Sequence, residues 1–213
     1  MEHAERTGHA HERHPAGPVE YRRDVESVAF FSDAVFAIAM TLLIIGVRVP
    51  SGTTANTLGD ALRGLGPSFA SYGISFIVIG LHWLGYHRQV HVMDHLDGGA
   101  LFITLLFLMS IAFLPFPTLL LNNDFGPVAV IFYAASMAVT GLLLAALWLY
   151  AGRRGLLRDV DARLDRYNTV RALYAPLIFL LSIPVAVAAP TAATYMWILV
   201  FVGRPILRRV AYR

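Results

Sequence analysis

Six apolar runs decide the fold class of this chain. They extend from Val28 to Val49, Pro67 to Tyr86, Gly99 to Leu121, Phe125 to Ala151, Val170 to Ala189 and, shorter, Thr191 to Val202. A bilayer core of about 30 Å needs about 20 apolar residues of helix to cross it. Five runs meet that length, and the sixth meets it only by continuing through Pro205 toward Val210. Pro190, within VAVAAPTAAT, is expected to turn the chain between the last two. Composition agrees: 57% of the 213 residues are hydrophobic and 15% charged, against roughly 25% charged in a soluble domain. The expected fold is an all-α membrane protein with six transmembrane helices per subunit, covering residues 27–213. Residues 1–26 read as a polar cytoplasmic tail carrying His3, His9, His11 and His14, without the apolar core of a signal peptide.

The arginines orient the helices. All 17 basic residues are arginine. With the N-terminus inside, fifteen fall in the tail, the second-to-third and fourth-to-fifth connections and the C-terminus, leaving Arg48 and Arg63 outside. The positive-inside rule then makes both termini cytoplasmic. The basic balance follows from topology, so no nucleic-acid partner is expected. The absence of cysteine excludes disulfides, thiolate metal sites and a cysteine nucleophile. The connection GRRGLLRDVDARLDRYNTVR mixes charges at short spacing and is expected to form an interfacial helix, with Leu156, Leu157, Val160 and Leu164 toward the membrane.

The first run carries a carboxylate, Asp33, in Phe30–Val47, FFSDAVFAIAMTLLIIGV. Charge inside a span costs about 2.5–3.5 kcal/mol at its centre and calls for a partner or water. Two readings are open. Ser32 and Asp33 cap and pack the start of the helix, where the macrodipole favours a carboxylate, or they anchor it in a polar network beside a permeation path. On a helical wheel Phe31, Ala34, Ile38, Thr41, Leu42 and Ile45 form one stripe, with Thr41 adding a hydroxyl.

Phe31-Ser32-Asp33, followed by Ala34-Val35-Phe36-Ala37-Ile38-Ala39 and Thr41-Leu42-Leu43, resembles the signature of the transmembrane protein 175 family. Trp83, Tyr86, His87 and Arg88 are similar to its Trp-x-x-His-His-Arg pattern. Leu114-Pro115-Phe116-Pro117-Thr118 is similar to its Pro-Phe-x-Thr pattern. That family comprises potassium-permeable channels, lysosomal in animals and shorter, single-repeat versions in bacteria. Two positions depart from the pattern. Ser27 stands where the family has an arginine, and Tyr86 replaces the first histidine. Tyr86, His87 and Arg22 or Arg23 are the expected substitutes around Asp33.

The resemblance implies a bacterial cell-membrane cation channel without cofactor, whose first helices surround a central pore. Ile38 would form the narrowest ring, Leu42 and Ile45 further apolar layers, and Thr41 a hydroxyl layer linked to selectivity. A ring of aliphatic side chains stops ions by dewetting. One copy cannot enclose a pore, and no second repeat exists, so self-association is implied, as a homotetramer by family analogy. The chain lacks Thr-Val-Gly-Tyr-Gly, so no carbonyl-ring filter is expected and selectivity should be modest. The partners expected are lipid, monovalent cations and further copies.

A rival reading is a proton-coupled secondary transporter using Asp33 and His87 as a relay; against it stands the absence of an inverted repeat. An intramembrane enzyme lacks a nucleophile–base pair. His87, His91 and His95 recur every four residues with Asp94 beside them, and read as a solvated, pH-responsive cluster more than as a metal site.

Overall fold

In the computed structural model, residues 18–122, 126–158, 162–201 and 203 are described. The histidines of the tail and the continuation of the sixth run toward Val210 lie outside them, as does Val160. The described residues form α1 (Pro18–Leu42), a 3-10 turn (Leu43–Gly46), α2 (Leu58–Gly64), α3 (Gly66–His91), α4 (Gly98–Phe113), α5 (Pro115–Asn122), α6 (Gly126–Arg154), α7 (Ala162–Ala188) and α8 (Pro190–Met196).

Five segments are long and apolar enough to cross a membrane: Val25–Gly46, Gly66–His91, Gly98–Asn122, Gly126–Arg154 and Tyr167–Ala188. The sixth run gives a shorter apolar helix, Pro190–Phe201. It turns off α7 at Ala189, with Pro190 in the first helical turn, where its missing N–H leaves no bond unmade. Trp197 then docks α8: its ring stacks 4.8 Å from Tyr133, and its Nε1 donates to Ser182 Oγ at 3.0 Å.

Helices run past the apolar boundaries because the polar ends need no lipid. α1 starts at Pro18, ten residues before the first run, and its 25 residues span about 38 Å at 1.5 Å each. α3 continues from Tyr86 to His91. The third span is interrupted at Leu114, where α4 ends at Phe113 and α5 begins at Pro115. Pro115 and Pro117 lie in the first turn of α5, where backbone donors are orphaned in any case. Pro176 and Pro184 are held within a continuous α7.

α6 is the central helix, packing on α3, α4, α5, α7 and α8. Small residues explain how: Ala134, Ala138, Gly141 and Ala145 form a buried stripe, and such stripes let helices in lipid approach closely. A Cβ on Gly141 would lie 3.0 Å from Pro176 Cδ. α1 sits at the opposite edge and packs on α3, α4 and, less, α5.

In the connection expected to form an interfacial helix, residues 155–158 form an extended turn, and residues 162–171 are helical as the start of α7. Gly155 has φ +68°, its N–H bonds Gly152 O, and Leu156 N bonds Ala151 O at 3.0 Å. This is the paired bonding of a Schellman stop. Leu156 is therefore buried rather than facing lipid, and Leu157 bridges to Met93. The side chain of Leu164 lies outside the described residues. Arg158 and Asp94 close the turn with an ion pair of 2.6 Å.

Candidate pore-lining face and polar network of α1

Successive residues of an α-helix point about 100° apart, so Phe31-Ser32-Asp33 sends three side chains three ways. Phe31 faces outward, 55% exposed. Ser32 is fully buried and donates to Val28 O at 2.7 Å. Its single proton is thereby used, so in the 2.8 Å contact between Ser32 Oγ and the Tyr86 hydroxyl the tyrosine donates. Asp33 Oδ1 accepts from Trp83 Nε1 at 2.7 Å, a length typical of a charge-assisted bond.

These bonds join α1 to α3 in antiparallel order, Ser32 with Tyr86 and Asp33 with Trp83. Below them the rings of Phe36, Tyr86 and Phe107 cluster, with Tyr86 and Phe107 stacked at 5.4 Å. The network corrects two expectations and leaves a third outside the described residues. Ser32 and Asp33 do not cap α1, since Pro18 begins it far upstream and the macrodipole acts only within the first turn. The donor to Asp33 is Trp83, rather than Tyr86 or His87. The side chains of Arg22 and Arg23 lie outside the described residues.

Asp33 and His87 form no hydrogen bond with each other. Trp83 stands between them, its ring stacked on His87 at 5.1 Å. An indole offers one donor and no acceptor, which breaks a direct proton relay. His87 instead meets His91, Nε2 to Nε2 at 2.9 Å. α3 ends at His91, so His95 leaves the shared helix face, and Asp94 turns to Arg158. Among the described residues no three His, Cys, Asp or Glu side chains gather as a metal site.

The opposite face of α1 is bare. Ile38 is 59% exposed, Leu42 42% and, in the 3-10 turn that continues α1, Ile45 54%, and Thr41 is exposed between them. Phe36, Ala39 and Leu43, on the inner face, are buried. Thr41 Oγ1 donates to Ile38 O at 2.8 Å, which leaves its oxygen lone pairs turned away from the helix. Thus the subunit packs one side of α1 and leaves the whole predicted stripe exposed.

Two features escaped the sequence reading. Thr118 of the Pro-Phe-x-Thr pattern is buried; its hydroxyl lies 3.0 Å from Ser75 Oγ and from Leu114 O, and Ser75 reaches the Tyr133 hydroxyl at 3.3 Å. This ties α5 to α3 and α6. The signal was a hydroxyl residue in each of three apolar runs. The second is Asp97, the N-cap of α4, which accepts from Ala100 N at 2.8 Å and from Tyr150 at 2.9 Å. The Ala100 N–H, helped by Tyr150 and Arg154 against partial desolvation, holds this carboxyl below the usual carboxylate range. An Asp three residues before a backbone donor, opening an apolar run, is the sequence mark of such a cap.

Comparison with known proteins follows the same residues. The family described as "Endosomal/lysosomal potassium channel TMEM175" matches residues 27–115, which contain the α1 stripe and network. A Streptomyces collinus protein named potassium channel B446_29190 is 37% identical over 171 residues, 76% of this chain and 83% of its own. A Chamaesiphon minutus protein named potassium channel Cha6605_3372 is 32% identical over 157 residues, 68% of this chain and 77% of its own. The crystal structure of a lysosomal potassium-selective channel TMEM175 homolog from Chamaesiphon minutus shares the fold, with TM-score 0.74 and 24% identity over 87% of this chain and 98% of that one. With the family matched over its N-terminal part and relatives above 30% identical over two thirds or more of its length, the chain belongs to the TMEM175 family, a family of membrane ion channels and not of enzymes.

Proposed function

We propose that this chain is one subunit of a potassium-permeable, modestly selective cation channel in the cell membrane, with several α1 helices, four by family analogy, around one axis. Ile38, Leu42 and Ile45 form its apolar layers, and Thr41 offers hydroxyl oxygens to the permeating ion. The observation that carries this reading is the bare stripe of α1, at the edge of a subunit whose other side is packed. Lipid-facing residues are exposed in a lone subunit too, so the stripe gains meaning from its content. It includes a hydroxyl with outward lone pairs, and it lies back to back with the Ser32–Tyr86 and Asp33–Trp83 bonds that fix the rotation of α1. Apolar layers hold back ions by dewetting, and widening the ring by helix rotation hydrates it. Both termini are cytoplasmic by the arginine distribution.

Purified protein in planar bilayers, with potassium and sodium in asymmetric solutions, tests this. The expected result is unitary current reversing on the potassium side, increased in Ile38→Asn. Silence of both proteins in bilayers, with saturable gradient-driven flux in vesicles, would overturn it in favour of a transporter.

A further inference from the structure

A cleft of about 290 Å³ opens between α3, α6 and α7, away from α1. Its mouth carries Arg88, in the last turn of α3, and Arg171 on α7, with Gln89 and Asn168 beside them. Both guanidinium groups line this one cleft. Arg88 Nε donates to its own helix at Leu84 O, 2.8 Å. Neither guanidinium makes an ion pair among the described residues. Gln89 is 92% buried, counted from an exposure of 8%, and its Oε1 has no hydrogen-bond partner among them.

Two like charges facing one cleft, with no carboxylate paired to either among the described residues, cost energy unless an anion joins them. The paired forks of two arginines match the oxygens of a phosphate group. Gln89 can add its amide to a phosphoryl oxygen, or accept from a hydroxyl next to it. His82 and Tyr167 also line the cleft, and Leu81, Leu144 and Ala175 give it an apolar wall. Arg88 and Arg171 lie at the ends of their membrane spans, at the depth of lipid headgroups. Basic pockets between spans at that level suit anionic headgroups.

We propose that this cleft binds a phosphate ester, specifically the headgroup of an anionic phospholipid, with phosphoryl oxygens on Arg88 and Arg171 and an acyl chain along the apolar wall. The site is separate from the pore-lining face, so it stands or falls independently of conduction.

The test is thermal unfolding of the purified protein in neutral detergent, titrated separately with phosphatidylglycerol, phosphatidylcholine, glycerol 3-phosphate and inorganic phosphate. Phosphatidylglycerol should raise the melting temperature more than phosphatidylcholine. Arg88→Gln and Arg171→Gln should each weaken its apparent affinity about fivefold, from about 1 kcal/mol per arginine near a charged headgroup. Should Arg171→Gln fail to fold, Arg88→Gln, on the exposed rim, decides alone. Equal stabilisation by glycerol 3-phosphate, lost in the same variants, keeps the phosphate site and assigns it to a soluble ester. Equal stabilisation by the two phospholipids, or an undiminished phosphatidylglycerol effect in Arg88→Gln, overturns the proposal.

Discussion

The bond from Trp83 to Asp33 sets how firmly α1 is held against α3, and its strength follows from the geometry. At 2.7 Å, between an indole N–H and a carboxylate, it belongs to the charge-assisted class, worth about 1.5–3 kcal/mol in soluble proteins. Hydrogen bonds between helices in membranes measure less, about 0.6 kcal/mol on average and about 1.7 at most. The short length and partial burial place this one near the top of that membrane range, at about 1.5 kcal/mol, or about twelvefold in the folding equilibrium. Single variants overstate it, because Trp83→Phe also removes ring area stacked on His87. A double-mutant cycle of Trp83→Phe with Asp33→Ala isolates the pair. Unfolding in mixed micelles by sodium dodecyl sulfate, followed by far-ultraviolet circular dichroism, reads it without depending on tryptophan emission. A coupling energy below about 0.5 kcal/mol would mean that Asp33 is held by solvent, and that the network does not fix the rotation of α1.

Further outcomes follow from other contacts. Asp97→Ala should lower stability by about 1 kcal/mol through loss of the α4 cap, read by the same unfolding titration. Because the folded state holds the Asp97 carboxyl low, its stabilisation is present above the unfolded carboxylate value near 3.9 and is lost as pH falls through and below it. Melting temperature should therefore drop on acidification below about pH 4, less steeply in Asp97→Asn. Gly141→Ala should destabilise by about 1–3 kcal/mol, since its Cβ would press on the rigid Pro176 ring at 3.0–3.2 Å. Gly73→Ala, with nothing within 4 Å of its Cβ, should instead gain about 0.5–1 kcal/mol; equal signs in the two variants would sink the packing argument.

The bilayer makes some features legible and hides others. Apolar length is demanded residue by residue inside lipid, so five of the runs emerge as spans and the α1 stripe emerges from its period. Nothing similar constrains a helix outside lipid, so the start of α1 at Pro18 and the end of α3 at His91 carry no apolar mark. Gly155 is a helix stop in the sequence, but the mixed charges after it carry the pattern of an interfacial helix. The network partners depended on geometry between helices. Trp83 and Tyr86, three residues apart on α3, both point at α1, and only the antiparallel crossing assigns Tyr86 to Ser32 and Trp83 to Asp33. The Arg88–Arg171 cleft joins residues 83 positions apart on α3 and α7, a juxtaposition that periodicity within either run does not contain.

The central claim is that the bare face of α1 lines water and ions rather than lipid. The chain has no cysteine, so single cysteines can be placed without background. In bilayers carrying potassium current, a positively charged, water-soluble thiol reagent would be applied to Thr41→Cys, Ile45→Cys and, as a control on the exposed face of α4, Met109→Cys, at a position 65% exposed. A pore lined by α1 predicts that the reagent suppresses current through the first two variants and leaves the third unchanged. Unaltered current in both α1 variants, with suppression at Met109→Cys, would place the conducting path along α4 and remove α1 from the pore.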